Sequence, residues 1–308
     1  MEKKDFAGLE SSCQFRFLKV GFIYHVFSRE NHPIIFHNEE EFKAAMNIVA
    51  FVAIMFPGII IYTFEIMDNH FHFAIAGKKE DIEAFIRMLM DKLASHPSLA
   101  ESRNEIKSLS FTMKSIDNLD TLRNVIAYNN RNGAVVCPDE NVFTYRWGAN
   151  SYFFNREARL RYDESGRKAT CREKRKIFCS AQLDSTDSVI LLDGYVSPLC
   201  YCHIHEAEMF FRNSRHYFHS VSRNIESAKD IAKSIGESIF YTDEDLFSHV
   251  RMLCSKKYGC KSLSSLNSAA KTEIAKELHF DFNATNKQIC RLLKVEQSIV
   301  NALFPTVR

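Results

Sequence analysis

Two pairs of polar side chains in this chain have spacings that could support chemistry. His70 and His72, in the run His-Phe-His, stand at i and i+2, which on a strand directs both imidazoles to one face. Such a pair can hold a divalent cation. Tyr128 and Asn132 stand at i and i+4, so on a helix a phenol and a carboxamide share a face. A phenol is a poor nucleophile at neutral pH, with a pKa of about 10, unless positive charge lies close by. Neither spacing is specific alone. His203-Ile204-His205 repeats the first one, but Tyr201 and Tyr217 lack an asparagine four residues on, so that second pair reads as structural.

The surrounding segments must place these side chains. Val20–Ser28, Ile59–Ile66 and His70–Gly77 read as strands, rich in β-branched and aromatic residues, and Lys107–Ile116 reads as extended. Glu39–Phe56 reads as a helix with Phe42, Met46, Val49, Ala53 and Phe56 inward, ended by Pro57-Gly58. That Pro-Gly pair argues against a membrane span over the apolar residues 44–64. Glu80–Ser95 and Leu119–Asn132 read as further helices, the latter capped by Asp117 or Asn118 and ended by Gly133. This order suggests an α+β fold: an antiparallel sheet with helices on one side, in the split β-α-β or ferredoxin-like layout.

The 308 residues, 46% hydrophobic and 25% charged with a formal charge of +2, suit one large or two modest domains. That balance does not mark the whole chain as a nucleic-acid binder, so such a role must rest on local clustering. Arg156, Arg159, Arg161, Arg167, Lys168, Arg172, Lys174, Arg175 and Lys176 make one cluster, read as a solvated linker around Ser165-Gly166. Nine scattered cysteines and an N-terminus without a secretory apolar core point to a reducing cytoplasm. Cys200 and Cys202 beside His203 and His205 are too cramped for the usual structural zinc spacing.

The expected domains are residues 1–155, a basic linker at 156–186, and a mostly helical region at 187–308. In the last, Ser197–Asn224, Ile225–Ser238 and Asp243–Ser255 are candidate helices. Ala269–Phe280, Asn286–Leu293 and Gln297–Leu303 follow as three short helices over 269–304, similar to a helix-turn-helix, although the turn lacks a glycine.

Three blocks in order then carry a resemblance. Ile23–Asn31 (Ile-Tyr-His-Val-Phe-Ser-Arg-Glu-Asn), Met67–Phe73 (Met-Asp-Asn-His-Phe-His-Phe) and Tyr128–Gly133 (Tyr-Asn-Asn-Arg-Asn-Gly) resemble the single-tyrosine HUH transposases. The REP-associated tyrosine transposases are the branch most similar. The resemblance covers roughly the first 150 residues, with Thr144-Tyr145-Arg146-Trp147 a weaker match, and Gly133 departs from the family's proline. It implies a Mg²⁺ or Mn²⁺ ion on His70, His72 and Asn132, with Tyr128 attacking the scissile phosphate to leave a 5′-phosphotyrosine link and a free 3′ hydroxyl. It also implies single-stranded or hairpin DNA as substrate and a homodimer. Candidate DNA contacts are His25, Arg29, Arg131, Arg146 and Trp147, with Lys287 and Gln297 in the C-terminal helices. For His25 and Arg29, sheet packing and phosphate contact both remain open. Two other readings stand beside this one: a replication-initiator or relaxase-like nickase, and a DNA- or RNA-binding regulator that cuts nothing.

Overall fold

The computed structural model describes residues 2–28, 33–136, 141–180, 189–222, 243–259, 263–282 and 284–305. The chain forms two compact units, residues 1–133 with 142–222, and residues 134–141 with 223–308. The expected boundaries near 155 and 187 therefore move to about 222.

The cause of that shift is the basic stretch, which folds. Asn155 caps a helix over Arg156–Ser165, and a Thr170–Glu173 capping box starts another over Cys171–Phe178. Arg159 pairs with Glu208 at 2.6 Å, Arg161 with Asp193 at 2.5 Å and Arg167 with Glu173 at 2.7 Å, so these cations are engaged. Arg167–Lys168, Ile190–Leu192 and Tyr195–Val196 form a small antiparallel sheet beside them.

The main sheet has four strands, β1 (Ile23–Ser28), β2 (Ile60–Ile66), β3 (Phe71–Ala76) and β4 (Phe111–Ser115), in the spatial order β2-β3-β1-β4. All three pairings are antiparallel. Helix α1 (Glu2–Val20) precedes β1. Next come α2 (Glu39–Met55) between β1 and β2, then α3 (Lys79–Ser95) and α4 (Arg103–Ser108) between β3 and β4, and α5 (Leu119–Val136) after β4. Asn38 caps α2 by accepting from the Glu40 and Glu41 amides at 3.1 Å, and Glu39, Glu40 and Glu41 complement the helix dipole. No described helix is long and apolar enough to cross a membrane.

Two faces follow from the register. Val26, Phe64 and Phe73 lie on one, where Phe73 meets Phe85 of α3 at 5.8 Å. His25, Phe27, Thr63, Glu65 and His72 lie on the other. A register shift between Ile61 and Thr63 is what brings Thr63 and Glu65 onto that second face.

Several elements differ from expectation. α2 is buried on all sides from Ala44 to Val52 rather than along one stripe, because the 171–178 helix and Tyr195–Val196 cover its outer side. Its Asn47 is buried too, accepting from the Val196 amide at 2.9 Å. Lys107 and Ser108 end α4 instead of starting β4. α1 was not anticipated, since its apolar residues do not share one stripe. It is held by buried Cys13 and Phe17 and by Glu10, which takes two hydrogen bonds from Arg123 of α5 at 2.6 and 3.1 Å. The expected helix at Ile225–Ser238 lies outside the described residues.

The second unit has its own core. After α6 (Arg156–Ser165), α7 (Cys171–Phe178), α8 (Ile204–Glu208) and α9 (Ser214–Val221) of the first unit, helices α10 (Asp243–Lys256), α11 (Ser268–Phe282), α12 (Asn286–Leu293) and α13 (Gln297–Leu303) of the second pack Leu246, Val250, Ile274, Leu278, Ile289, Leu293 and Val300 together.

Candidate active site

The His-Phe-His run sits at the start of β3, after a tight hairpin from β2. The Met67 amide donates to the His70 carbonyl at 2.8 Å to close the turn, and the Asp68 carbonyl accepts from the Ile35 and Phe36 amides at 2.7 and 2.9 Å. The His70 and His72 rings lie 4.8 Å apart between centroids, edge to face at 83°. Nδ1 of His70 lies 2.5 Å from the Asn69 side-chain oxygen. With that oxygen accepting, Nδ1 carries the proton and Nε2 keeps the lone pair a cation needs.

Helix α5 crosses the same sheet face, opposite α3, so helices cover both sides of the sheet rather than the one side expected. Asn118 caps it, accepting from the Thr121 amide at 2.8 Å, and Leu122 and Ile126 are fully buried. Tyr128 is 9% exposed, and its ring meets the His72 ring at 5.9 Å, again edge to face at 83°. The sheet contacts run along the helix. Asn129 faces His25, Asn130 accepts from the Thr63 hydroxyl at 2.5 Å while donating to the Tyr217 hydroxyl at 2.9 Å, and the Gly133 amide donates to Glu65 at 2.9 Å. Asn132, one turn beyond Tyr128, is 2% exposed.

α5 does not end at Gly133 as expected; it continues to Val136. Gly133 is needed there for a different reason. A Cβ at this position would stand 2.2 Å from the Tyr145 ring, whose hydroxyl donates to the Ile66 carbonyl at 2.6 Å. The missing side chain lets Tyr145 close over the end of β2.

Burial dominates the electrostatics. It pushes His72 down to about 3 and holds His25 and His70 well below the usual imidazole range, the charge of His72 acting in the same direction on both. All three are therefore neutral near pH 7, the form that can ligate a metal. Glu65, paired across the strands with His72, is held well above the usual carboxylate range because burial outweighs its hydrogen bond from Gly133.

Asn132 is the remaining residue of the expected donor set. Asn132 Nδ2 is buried with no hydrogen-bond partner among the described residues. A half-turn of the carboxamide exchanges its nitrogen and oxygen, so an oxygen donor can occupy that position. No group of three or more His, Cys, Asp or Glu side chains among the described residues is arranged to hold a metal.

The other sequence candidates divide. His25 is 1% exposed, stacked 5.9 Å from His72 beneath α5, a packing position. Arg29 lies outside the described residues. Arg131 is half-buried on α5. Arg146 pairs with Glu39 at 3.2 Å and lies 5.1 Å over the Trp147 ring, which stacks on Phe42 at 4.9 Å. Lys287 and Gln297 are exposed in the second unit. His203 precedes a short helix over Ile204–Glu208, its Nδ1 3.0 Å from the Glu206 carboxylate, so the second His-x-His run is not on a strand. Cys200 and Cys202 are separate thiols, Cys202 being buried.

Sequence reading missed Glu65, Asn129, Asn130 and Lys114. Lys114 is the β4 neighbour of His25 on the site face, with its ammonium 5.8 Å over Phe27. The available signal for Glu65 was its alternation with Thr63, which becomes informative only once the hairpin register is known. No family model matches this chain, and no curated protein or solved structure matches it either.

Proposed function

We propose that the first unit is a metal-dependent DNA strand transferase of the single-tyrosine HUH type, acting on single-stranded or hairpin DNA as a homodimer. The observation that carries this reading is the contact of Tyr128 with His72, residues 56 positions apart that packing brings to 5.9 Å. The succession β1-α2-β2-β3-α3-α4-β4 with sheet order β2-β3-β1-β4 supports a ferredoxin-like layout with one added helix.

On this reading His70, His72 and Asn132 would hold Mg²⁺ or Mn²⁺, which would supply charge neutralisation at a scissile phosphate. The Tyr128 oxygen forms a bond to phosphorus as the bond to the 3′ oxygen breaks, and that oxygen leaves as a hydroxyl. One phosphodiester replaces another, so rejoining by the reverse step needs no ATP. Asn69 fixes the His70 tautomer, and Glu65 and Thr63 hold α5 against the sheet so that Tyr128 stays beside His72. Lys114 is a cation on the same face available to a phosphate.

The burial of Tyr128 favours a second reading, a DNA-binding protein that keeps these residues covered and cuts nothing. Labelled single-stranded hairpin oligonucleotides with Mn²⁺ or Mg²⁺ separate the two. The strand transferase gives a denaturant-resistant protein-DNA adduct that disappears with chelator and in Tyr128→Phe. An adduct that persists in Tyr128→Phe removes the nucleophile assignment, and binding without any adduct leaves the second reading.

A further inference from the structure

We propose that α12 and α13 of the second unit form a reader of double-stranded DNA, with α13 entering the major groove. This role is separate from the strand cleavage proposed for the first unit.

The two helices meet through a three-residue turn, Lys294–Glu296. Lys294 adopts the left-handed conformation (φ 51°, ψ 50°) that a glycine usually fills, and the Val295 amide donates back to the Cys290 carbonyl at 3.3 Å. α12 is fixed at its start by a reciprocal Thr285–Gln288 capping box. Ile289, Leu293 and Val300 from the two helices are buried in one core with Ile274 and Leu278 of α11. The pair is thus held rigidly, as recognition of a fixed groove requires.

What α13 leaves outside is suited to base edges. Packing takes Val300 and, just past the helix, Phe304. Gln297, Ser298 and Asn301 are exposed, and Ile299 is 51% exposed. The Asn301 side-chain oxygen accepts from Asn286 Nδ2 and from Gln297 Nε2, both at 3.0 Å. With those atoms engaged, the Asn301 amide hydrogens and the Gln297 oxygen remain as a donor and an acceptor on two exposed residues of one helix. Adenine presents the complementary acceptor and donor, N7 and N6, in the major groove, and the thymine methyl offers Ile299 an apolar contact.

Charge supports the same occupant. Lys287 and Arg291 stand at i and i+4 on α12, and Lys294 follows in the turn; all three are exposed. Arg291 is tied to Asp243 at 2.7 Å, which leaves Lys287 and Lys294 for phosphates where the first helix of such a motif crosses the backbone. Glu296, exposed at the turn, opposes this charge, so base contacts have to supply part of the affinity.

The test uses the full chain carrying Tyr128→Phe, so that cleavage cannot consume the probe, and a duplex library with a randomised core. The expected result is enrichment of a defined duplex sequence. Asn301→Ala should then weaken binding to that duplex about tenfold or more while leaving an unselected duplex unchanged. Lys287→Ala should weaken both and lower the slope of log affinity against log salt by about one. Failure to enrich any sequence overturns the proposal, as does unaltered binding by an Asn301→Ala protein whose thermal unfolding matches the parent. The adduct assay on Tyr128 is scored apart, so either claim can fail alone.

Discussion

Lowering the pH from 7 to 5 should destabilise the first unit, and the buried histidines set the sign and the size. His25, His70 and His72 are 1%, 2% and 0% exposed, and each is held below its ordinary pKa chiefly by burial. A group with a depressed folded pKa contributes stability that is present above its unfolded pKa, about 6.5, and is lost as pH falls toward the folded value. For His72, lowered to about 3, the window runs from 6.5 downward. At pH 5 the unfolded chain gains about 2 kcal/mol by protonating this one imidazole. His25 and His70 act in the same direction. Glu65 acts oppositely, since its folded pKa is raised, so its contribution is present at low pH and lost as pH rises above the usual carboxylate range. Three imidazoles against one carboxyl leave net stability rising with pH from 5 to 6.5. Against a total of roughly 5–15 kcal/mol this is readily measured. Urea unfolding at pH 5, 6 and 7, followed by fluorescence of Trp147, reports on the first unit because Trp147 stacks on Phe42 within it. His72→Gln should shrink the difference between pH 5 and 7 by about 2 kcal/mol. Equal stability at pH 5 and 7, or an unchanged difference in His72→Gln, would refute the assignment of neutral buried imidazoles.

Two further expectations concern the supports of α5. Gly133→Ala puts a methyl against the Tyr145 ring and should cost about 1–3 kcal/mol, read as a lower urea midpoint, even though alanine favours a helix. Recovery of stability in the double variant with Tyr145→Ala would tie the cost to that clash. Glu10→Ala removes the carboxylate that takes two hydrogen bonds from Arg123, a guanidinium only 6% exposed, and should cost roughly 1–2 kcal/mol after allowing for the exposure of Glu10. An unchanged unfolding curve would mean that α1 does not brace α5.

The legible part of the site was local. His70 and His72 read as a pair because strand alternation has period two, and Tyr128 and Asn132 because a helix repeats every 3.6 residues. The ends of α12 and α13 were readable for the same reason, since Thr285 with Gln288 and the spacing of Ile289, Leu292 and Leu293 are written within a few residues of one another. Gly133 misled because glycine after a helical run usually ends it, whereas here Tyr145, twelve residues away, takes the space its side chain would fill.

The sequence by itself thus determined which residues share a strand face or a helix face, because backbone geometry dictates those spacings wherever the element lies. Only the tertiary structure decided that α5 lies over the histidine face, that Glu65 stands opposite His72, and that the basic stretch belongs to the folded first unit. Those outcomes depend on strand register, on a shift between Ile61 and Thr63, and on ion pairs such as Arg159 with Glu208, all between residues brought together by packing rather than by the chain. The His-Phe-His run and the Tyr128 helix were visible separately; their contact is a property of the fold.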